Sequence, residues 1–347
     1  MHKTVDFESS KTFDNPIYID VRSPSEYLKG HIPNSVNIPI FSDEERALVG
    51  TIYKNIGSEE AKDKGLEIVS TKLPDIIRQI QSHYKMGKRL IIYCWRGGMR
   101  SKSIVSILAI MGIKSYQLIG GYKEYRNYVL KQLASFKIKP EIYVLCGSTG
   151  VGKTNILNLL KKINEPIIDI EQLANHRGSI FGQIGLGQPA SAQSFDSLLL
   201  NELEQLNNSH YIILESESKR VGNVYIPDIL YNAMKSAKRI LIYADLEIRA
   251  ERLINEYFHL NMQNTQSIAD CINSLSKRLG VKKTKQLLNY LESGNIRQCA
   301  LTLINEYYDP LYGYEKQNDD EFDLVVCSNN LNEAANKIIN YLRKTGR

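Results

Sequence analysis

Mostly apolar runs of four to six residues recur along the whole chain and alternate with polar segments of helical character. Runs of this length, bounded by glycine, proline or polar residues, predict strands buried on both faces of a parallel sheet. The predicted strands are residues 17–22, 89–93, 116–119, 142–145, 211–214 and 240–243. Helical segments lie between them, including residues 23–27 with a proline near the helix start, and residues 155–160. This alternation predicts an α/β fold.

The chain is long enough for two domains of this kind. Its 347 residues exceed what one ordinary hydrophobic core supports. The linker between the two domains is predicted at residues 134–140, because a proline and two lysines interrupt the helical periodicity there, just before a new strand. We therefore expect a parallel-sheet domain over residues 1–136 and a second α/β domain over residues 137–347, which ends in a helical extension.

Composition narrows the class of protein. Charged residues make up 24% and hydrophobic residues 43%, which is typical of a globular protein. No apolar stretch approaches the roughly 20 residues that span a bilayer, and the N-terminus lacks a signal-peptide core, so we expect a cytoplasmic protein with no membrane partner. Five cysteines without zinc-type spacing argue against disulfides or a metal cluster. The net charge of +6 fits a polyanionic partner.

A cysteine-containing loop follows the predicted strand 89–93. Its residues are Cys94, Trp95, Arg96, Gly97, Gly98, Met99, Arg100 and Ser101. The glycines let backbone N–H groups converge on one point, and these groups and the two arginines stabilise a thiolate. A cysteine buried only for packing needs no such surroundings. The loop therefore predicts that Cys94 is a catalytic nucleophile.

The first half of the chain resembles the rhodanese domain. The resemblance lies in Asp20-Val21-Arg22, Glu26-Tyr27 and residues 30–35, and it extends over about residues 15–135. It implies that Cys94 carries sulfur or selenium as a persulfide or selenosulfide. The spacing from Cys94 to Arg100 is one residue longer than in many sulfur-only rhodaneses and equals that of cysteine phosphatases, which suits a tetrahedral phosphate-like group. A phosphatase and a transferase with a phosphate-derived donor both stay open, and Tyr93 in place of a histidine favours transfer.

A second anion-binding loop follows the predicted strand 142–145. Its residues are Gly147, Ser148, Thr149, Gly150, Val151, Gly152, Lys153 and Thr154. The G-x4-G-K-T spacing between a strand and a helix is highly specific for a phosphate-binding P-loop. In such a loop the backbone wraps a diphosphate, Lys153 neutralises it and Thr154 can hold Mg²⁺. Nothing in the sequence indicates an organic cofactor.

Further substrate contacts are expected around this P-loop. Glu215 and Glu217 follow strand 211–214, where a metal- or water-positioning carboxylate normally lies, and glutamate there weakens the case for ordinary nucleotide hydrolysis. Residues 169–182 are dense in polar residues and glycine, which is typical of a ligand-contacting loop. The expected contacts are Asp169, His176, Arg177, Glu215, Glu217, Arg220, Arg249 and Arg252. The last two resemble the lid arginines of small P-loop kinases, although a solvated helix face also explains them.

The two halves together resemble the tRNA 2-selenouridine synthase family. The resemblance lies in residues 93–101, 174–179 and 215–218, with further segments at 45–54 and 307–312. It implies a rhodanese-like domain followed by a P-loop NTPase-like domain. It also implies an enzyme that converts 2-thiouridine at the tRNA wobble position to 2-selenouridine. The implied selenium donor is selenophosphate, and the implied intermediate is S-geranyl-2-thiouridine made from geranyl diphosphate.

Several alternatives stay open at this stage. The strongest is a sulfurtransferase fused to an ATP- or GTP-dependent P-loop kinase or ATPase that acts on RNA, which predicts nucleotide turnover. A regulatory scaffold that only senses sulfur predicts that Cys94 is dispensable. A cluster of tyrosines serves either to stack bases of the tRNA or to pack the core. These tyrosines are Tyr307, Tyr308, Tyr312 and Tyr314.

Overall fold

The computed structural model describes residues 2–257, 265–313 and 321–345. These residues form two compact units. One contains the described residues up to Leu133 together with Asp196–Leu200, and the other contains Ala134–Phe195 and the described residues from Asn201 onward. Each unit has a five-stranded sheet in which all neighbouring strands are parallel. The predicted α/β class with parallel sheets is confirmed.

The first sheet has the strand order β1-β5-β4-β2-β3. Its strands are β1 Thr4–Val5, β2 Pro16–Asp20, β3 Val36–Asn37, β4 Arg89–Tyr93 and β5 Ser115–Leu118. The accompanying helices are α1 Phe7–Lys11, α2 Pro24–Leu28, α3 Asp43–Asn55, α4 Ser58–Lys85, α5 Met99–Ile110 and α6 Gly121–Ser135. Strand β4 is central and fully buried from Leu90 to Tyr93, so the residue that follows it emerges at the carboxyl edge of the sheet, between the ends of β2 and β5.

A buried ion pair ends strand β2 at Asp20, two residues earlier than the apolar pattern predicts. The Arg22 backbone N–H donates to Asp20 Oδ1 at 2.9 Å, and its guanidinium Nε donates to both carboxylate oxygens at 3.0 Å. Arg22 also donates to the Gly30 carbonyl at 2.7 Å and lies over the Tyr122 ring. Both charged side chains are at most 1% exposed. The Asp20-Val21-Arg22 motif is therefore a structural clamp.

The second sheet has the strand order β12-β11-β6-β8-β7, and a small antiparallel pair, β9-β10, lies apart from it. The strands are β6 Glu141–Cys146, β7 Ile167–Ile168, β8 Tyr211–Glu215, β9 Arg220–Val221, β10 Val224–Tyr225, β11 Lys238–Tyr243 and β12 Leu324–Cys327. Strand β6 is central, with strands that follow it in the chain on both sides. In such sheets ligands bind at the carboxyl ends of the strands beside this switch point. Strand β12 was not among the strands that the apolar runs predict.

The helices of the second part follow the same alternation and then form a helical cluster. They are α7 Lys153–Lys162, α8 Ile170–Ala174, α9 Ala192–Leu206, α10 Asp228–Lys235, α11 Leu246–Tyr257, α12 Thr265–Ser274, α13 Ser276–Leu279, α14 Val281–Glu292, α15 Ile296–Leu303, the π-helix Ile304–Tyr308, α16 Asp309–Tyr312 and α17 Leu331–Thr345. None of the described helices is both long and apolar enough to cross a bilayer.

The tyrosine cluster belongs in part to the core of these helices. Tyr307 and Tyr308 are 8% and 3% exposed and pack with Phe181 and Leu303. Core packing, the second alternative from the sequence, therefore holds for these two. The side chain of Tyr312 and the whole of Tyr314 lie outside the described residues.

The Asp20–Arg22 clamp yields a stability prediction. Replacing Asp20 with alanine leaves the Arg22 charge buried without a partner, so Asp20→Ala should lower the free energy of unfolding by about 3–5 kcal/mol. The exposed pair Asp75–Arg78 offers the control, and Asp75→Ala should cost less than about 1 kcal/mol. Urea denaturation followed by fluorescence measures both. Equal effects of the two substitutions would contradict a structural role for the clamp.

Candidate active site

Cys94 lies in the turn between β4 and α5. Its side chain is 3% exposed, and its sulfur accepts a hydrogen bond from the Gly98 backbone N–H at 3.2 Å. The Ser101 hydroxyl lies 3.2 Å from the same sulfur. Because α5 starts at Met99, the unpaired N–H groups of its first turn face this loop. The arrangement stabilises negative charge at the sulfur and on a ligand beside it.

The loop requires glycine because a second turn packs directly against it. The Tyr122 backbone N–H donates to the Cys94 carbonyl at 2.9 Å. A Cβ atom on Gly121 would lie 2.3 Å from that carbonyl oxygen, and one on Gly97 would lie 2.7 Å from the Leu118 carbonyl oxygen. Both glycines also have positive φ angles. The close backbone approach therefore holds the cysteine loop in one conformation.

Gln117 supports the loop from the side of the sheet, and it is not among the site residues that the sequence predicts. It is 5% exposed on β5, and its side-chain amide donates to the Gly97 carbonyl at 2.6 Å and to the Ser101 hydroxyl at 2.9 Å. Tying down the carbonyls on one side leaves the loop N–H groups free to face a ligand. A glutamine within the mostly apolar run of residues 116–119 is the signal that points to it.

Glu26 holds the arginine that ends the loop. Arg100 donates to both Glu26 carboxylate oxygens, at 2.6 and 3.2 Å, and Arg46 lies 3.8 Å from the same carboxylate. Burial raises the pKa of Glu26, but the hydrogen bond and the charge of Arg100 lower it by more than burial raises it. The pKa of Glu26 is therefore below its usual value. Because a guanidinium has five N–H donors, Arg100 keeps donors for an anion. The rim residues Trp95, Arg96 and Met99 are exposed.

The P-loop connects β6 to α7. Lys153 Nζ donates to the Gly147 carbonyl at 2.8 Å and to the Ser148 carbonyl at 3.4 Å, so the ammonium lies inside the loop. Glycines at the tight positions have positive φ, and a Cβ on Gly147 would lie 2.3 Å from the Ile242 carbonyl oxygen. Of the other loop residues, Val151 is buried, and Thr149, Gly150, Gly152 and Thr154 line the cavity above the loop.

Three carboxylates lie beside the P-loop threonine. Ligand oxygens of Glu171, Glu215 and Glu217 lie within 4.8 Å of one another. The Thr154 hydroxyl is 3.0 Å from Glu215 and 3.3 Å from Glu171, and Glu215 Oε1 is buried with no hydrogen-bond partner among the described residues. Glu171 is not among the contacts that the sequence predicts, although it lies in the polar segment 169–182. Its position, two residues beyond Asp169, carries no distinctive spacing.

Burial and mutual repulsion perturb all three carboxyl groups. Burial and the Glu217 charge raise the pKa of Glu171 to about 8, and burial with the Glu215 charge raises that of Glu217 to about 8. The pKa of Glu215 is raised well above its usual value by burial and by Glu171. Lys153 opposes these shifts only in part. At neutral pH these raised pKa values keep protons on the cluster, and a cation that replaced the protons would stabilise the ionised carboxylates. Their oxygen donors match the preference of Mg²⁺.

A cavity of about 490 Å³ lies over the P-loop, and the polar segment 169–182 contributes to it. Arg177 lines this cavity, pairs with Glu256 at 2.9 Å and lies over the Tyr257 ring. Asp169 instead caps α8 by accepting the Gln172 backbone N–H at 2.8 Å. His176 does not line the cavity.

Two close glycine contacts position His176. A Cβ on Gly182 or on Gly222 would lie 2.8 or 2.7 Å from its ring. Burial lowers the pKa of His176, so it is a neutral packing group at physiological pH. The sequence prediction that His176 contacts a ligand finds no support in this placement.

The arginines predicted as lid residues brace the P-loop from outside. Arg249 is 7% exposed, donates to the Thr149 carbonyl at 2.9 Å and is paired with Asp309. Arg252 lines the cavity but donates to the Val151 carbonyl at 2.8 Å. Arg220 is exposed on β9 and donates to its neighbour Gly222. Arg252 and Arg177 are thus the predicted arginines that reach the cavity.

Comparisons with known proteins cover nearly the whole chain. A family model described as the tRNA 2-selenouridine synthase AAA domain matches residues 140–345, and one described as a rhodanese-like domain matches residues 6–128. A tRNA 2-selenouridine synthase from Nitrosomonas europaea is 35% identical over 308 residues, which cover 88% of this chain and 77% of that protein. One from Bdellovibrio bacteriovorus is 31% identical over 333 residues, which cover 85% of this chain and 87% of that protein. The crystal structure of an N-terminal domain from Clostridium difficile 630 is 46% identical, covers 37% of this chain and 99% of that domain, and gives a TM-score of 0.36.

The carboxylate cluster predicts an unusual pH dependence. Because the folded-state pKa values of Glu171 and Glu217, both about 8, exceed the ordinary value of 4.5, the stability they contribute is present at low pH and is lost as the pH rises through about 8. In the presence of a chelator, the Tm of the P-loop unit should fall from about pH 6 to about pH 9. Excess Mg²⁺ should raise the Tm more at the higher pH.

Calorimetry with matched variants checks the origin of this effect. Glu217→Gln should reduce both the pH slope and the Mg²⁺ shift, whereas Glu292→Gln, a change at an exposed position of α14, should alter neither. A Tm that responds to neither pH nor Mg²⁺ would show that the cluster is not a cation site.

Proposed function

Because the chain belongs to the tRNA 2-selenouridine synthase family, we propose that it replaces sulfur with selenium in 2-thiouridine at the wobble position of tRNA. The observation that carries the proposal is the pair of anion-binding loops, each at the carboxyl end of a central parallel strand. One loop presents a cysteine sulfur to convergent N–H groups, and the other presents a lysine and a threonine. Two anionic small molecules, selenophosphate and geranyl diphosphate, are the proposed occupants.

The P-loop is proposed to bind the diphosphate of geranyl diphosphate. The sulfur of 2-thiouridine attacks the first carbon of the geranyl group, so a C–S bond forms while the C–O bond to pyrophosphate breaks. The thiouridine N3 proton is released to solvent. Lys153 stabilises the negative charge that develops on the bridging oxygen, where a preorganised cation lowers the barrier most. Loop N–H groups hold the remaining phosphate oxygens.

Thr154, Glu215 and Glu171 are the residues that would hold Mg²⁺ in this site. When bound, the ion neutralises both the diphosphate and the carboxylate cluster. Arg177 lies in the same cavity and is proposed to orient the substrate, while Glu256 holds its guanidinium in place.

Cys94 is proposed to act in the selenium-transfer step. Selenium in selenophosphate is already at the oxidation level of selenide, so direct loading onto the sulfur as a selenosulfide would need an oxidant. A redox-neutral route avoids this requirement. The Cys94 thiolate attacks phosphorus, and the S–P bond forms as the P–Se bond breaks. Selenide then attacks C2 of the S-geranylated uridine, geranylthiolate leaves, and water hydrolyses the phosphocysteine.

The loop geometry supports attack at phosphorus. The Gly98 N–H and the N-terminus of α5 surround the sulfur, and Arg100 keeps N–H donors beyond its pair with Glu26. A tetrahedral phosphoryl group bound to the sulfur needs this ring of donors. The Ser101 hydroxyl lies within hydrogen-bonding distance of the sulfur and supplies one more donor.

Lys153→Ala should lower the rate of S-geranylation by roughly a hundredfold to a thousandfold, because it removes a charge that acts on the leaving group. The variant should still convert tRNA that was geranylated beforehand. The control is Lys162→Ala at the exposed end of α7, which should behave like wild type. Mass spectrometry of nucleosides follows the reaction with geranyl diphosphate, Mg²⁺ and 2-thiouridine tRNA but no nucleotide. A strict requirement for ATP or GTP hydrolysis would instead support the kinase-like alternative.

Cys94→Ser should lower 2-selenouridine formation by roughly a thousandfold or more, because a serine hydroxyl is a far weaker nucleophile at neutral pH. S-geranyl-2-thiouridine should accumulate, since geranylation is assigned to the P-loop. Cys271→Ser, at a partly exposed cysteine of α12, is the control. Selenouridine production by Cys94→Ser at the wild-type rate would refute the assignment. Accumulation of 2-thiouridine alone would show that the two steps are not separate.

A further inference from the structure

A cationic groove runs along helix α3 in the unit that contains Cys94. Its volume is about 620 Å³, and its lining includes Arg46, Gly50, Tyr53, Lys54 and Arg100. None of the lining residues is acidic, and every one of them belongs to the described part of the chain. The groove thus combines three positively charged residues with an exposed aromatic ring, that of Tyr53, whereas the second aromatic residue in its lining, Phe41, is buried. This composition suits an anionic ligand that also has a flat apolar face.

Gly50 gives the groove a specific shape. It lies inside α3 with an ordinary helical backbone, where glycine is less favourable than alanine by roughly 0.5–1 kcal/mol. A Cβ atom at this position would lie 2.5 Å from Nη1 of Arg46. The Arg46 guanidinium therefore lies across the helix in the space that a side chain at position 50 would fill. The Arg46 guanidinium also lies 3.8 Å from the Glu26 carboxylate, which in turn holds Arg100.

Tyr53 and Lys54 form the open side of the groove. The Tyr53 side chain is 66% exposed, so most of its ring is open to a ligand. Lys54 is exposed, and its ammonium has no ion-pair partner among the described residues. An inorganic anion would use the cations and leave the ring uncovered. A nucleotide would use both, through base stacking on the ring and phosphate contacts to the cations.

We propose that this groove binds an unstacked nucleotide of the tRNA anticodon loop, with its base on Tyr53 and its phosphates on Arg46 and Lys54. The inference rests on the proposed function and deepens it. Arg100 belongs both to the groove and to the Cys94 loop, so the nucleotide lies beside the loop that is assigned to selenium transfer. Recognition through stacking and phosphate contacts places the substrate without reading its sequence.

The chain offers a closely matched control for the test. Tyr53-Lys54 and Tyr84-Lys85 are both exposed tyrosine–lysine pairs on helices of the same unit, but the second pair does not line the groove. Fluorescence anisotropy with a labelled anticodon stem-loop RNA compares Tyr53→Ala/Lys54→Ala with Tyr84→Ala/Lys85→Ala. The groove variant should bind the RNA roughly tenfold more weakly than wild type does. The slope of the log of its binding constant against the log of the salt concentration should become shallower by about one. Wild-type affinity in the groove variant would overturn the proposal.

Two further arms separate stacking from charge and from misfolding. Among RNAs that each carry one abasic position in the anticodon loop, at least one should bind wild type more weakly than the intact RNA does, and that RNA should bind the groove variant no worse than the intact RNA does, because the base contact is already lost. Binding of every abasic RNA to wild type with the affinity of the intact RNA would overturn the stacking role. Gly50→Ala should displace Arg46 and weaken RNA binding while the Tm stays equal or rises. Displacement of the RNA from the groove by an acidic peptide at equal affinity would instead identify a protein-binding surface.

Measurements of 2-selenouridine formation and of the KM for tRNA separate this inference from the proposed function. If wild type makes no 2-selenouridine from defined substrates, the proposed function fails. If wild type makes it and the groove variant has the same KM for tRNA as the Tyr84→Ala/Lys85→Ala control, only the groove inference fails.

Discussion

Parallel pairing of a strand that is buried on both faces is the constraint on which both sites depend. Apart from their exposed first residues, Arg89 and Glu141, strands β4 and β6 are buried and mostly apolar, and their backbone groups pair with neighbouring strands on each side. The first backbone N–H groups available to a ligand are therefore in the turn that follows each strand. Each turn leads into a helix whose first N–H groups are also unpaired. Anion binding at the carboxyl edge follows from this geometry in both units.

The two loops handle charge in opposite ways. Around Cys94, the carboxylate of Glu26 already balances the nearby arginine, and its pKa is lowered as a result. Around Lys153, three carboxylates outnumber the local cation, and their pKa values are raised. The first loop can thus accept an anion through its N–H groups and through the arginine donors that Glu26 leaves unused. The second needs positive charge to accompany a diphosphate, which matches the use of Mg²⁺ by P-loops.

Side chains from outside each loop hold both loops in shape. Gln117 binds the carbonyls of the cysteine loop, whereas Arg249 and Arg252 bind those of the P-loop. In each loop the carbonyl oxygens are tied down from one side, so the N–H groups face the other. Of the two arginines that resemble kinase lid residues, Arg249 is buried, is paired with Asp309 and holds the loop in position. Arg252 holds the loop and also lines the cavity.

Local spacing in the sequence determined the α/β class, the two anion-binding loops and the strands β4 and β6 that carry them, because a strand, a glycine turn and a helix start are encoded within about ten residues. Only the tertiary structure decided which distant groups join them. Glu26 reaches Arg100 across 74 positions, and Glu215 reaches Thr154 across 61. Such pairs depend on the order of strands in the sheet, with β4 between β2 and β5 and β6 between β8 and β11. That order arises from the packing of whole elements, which no local pattern of apolar and polar residues specifies.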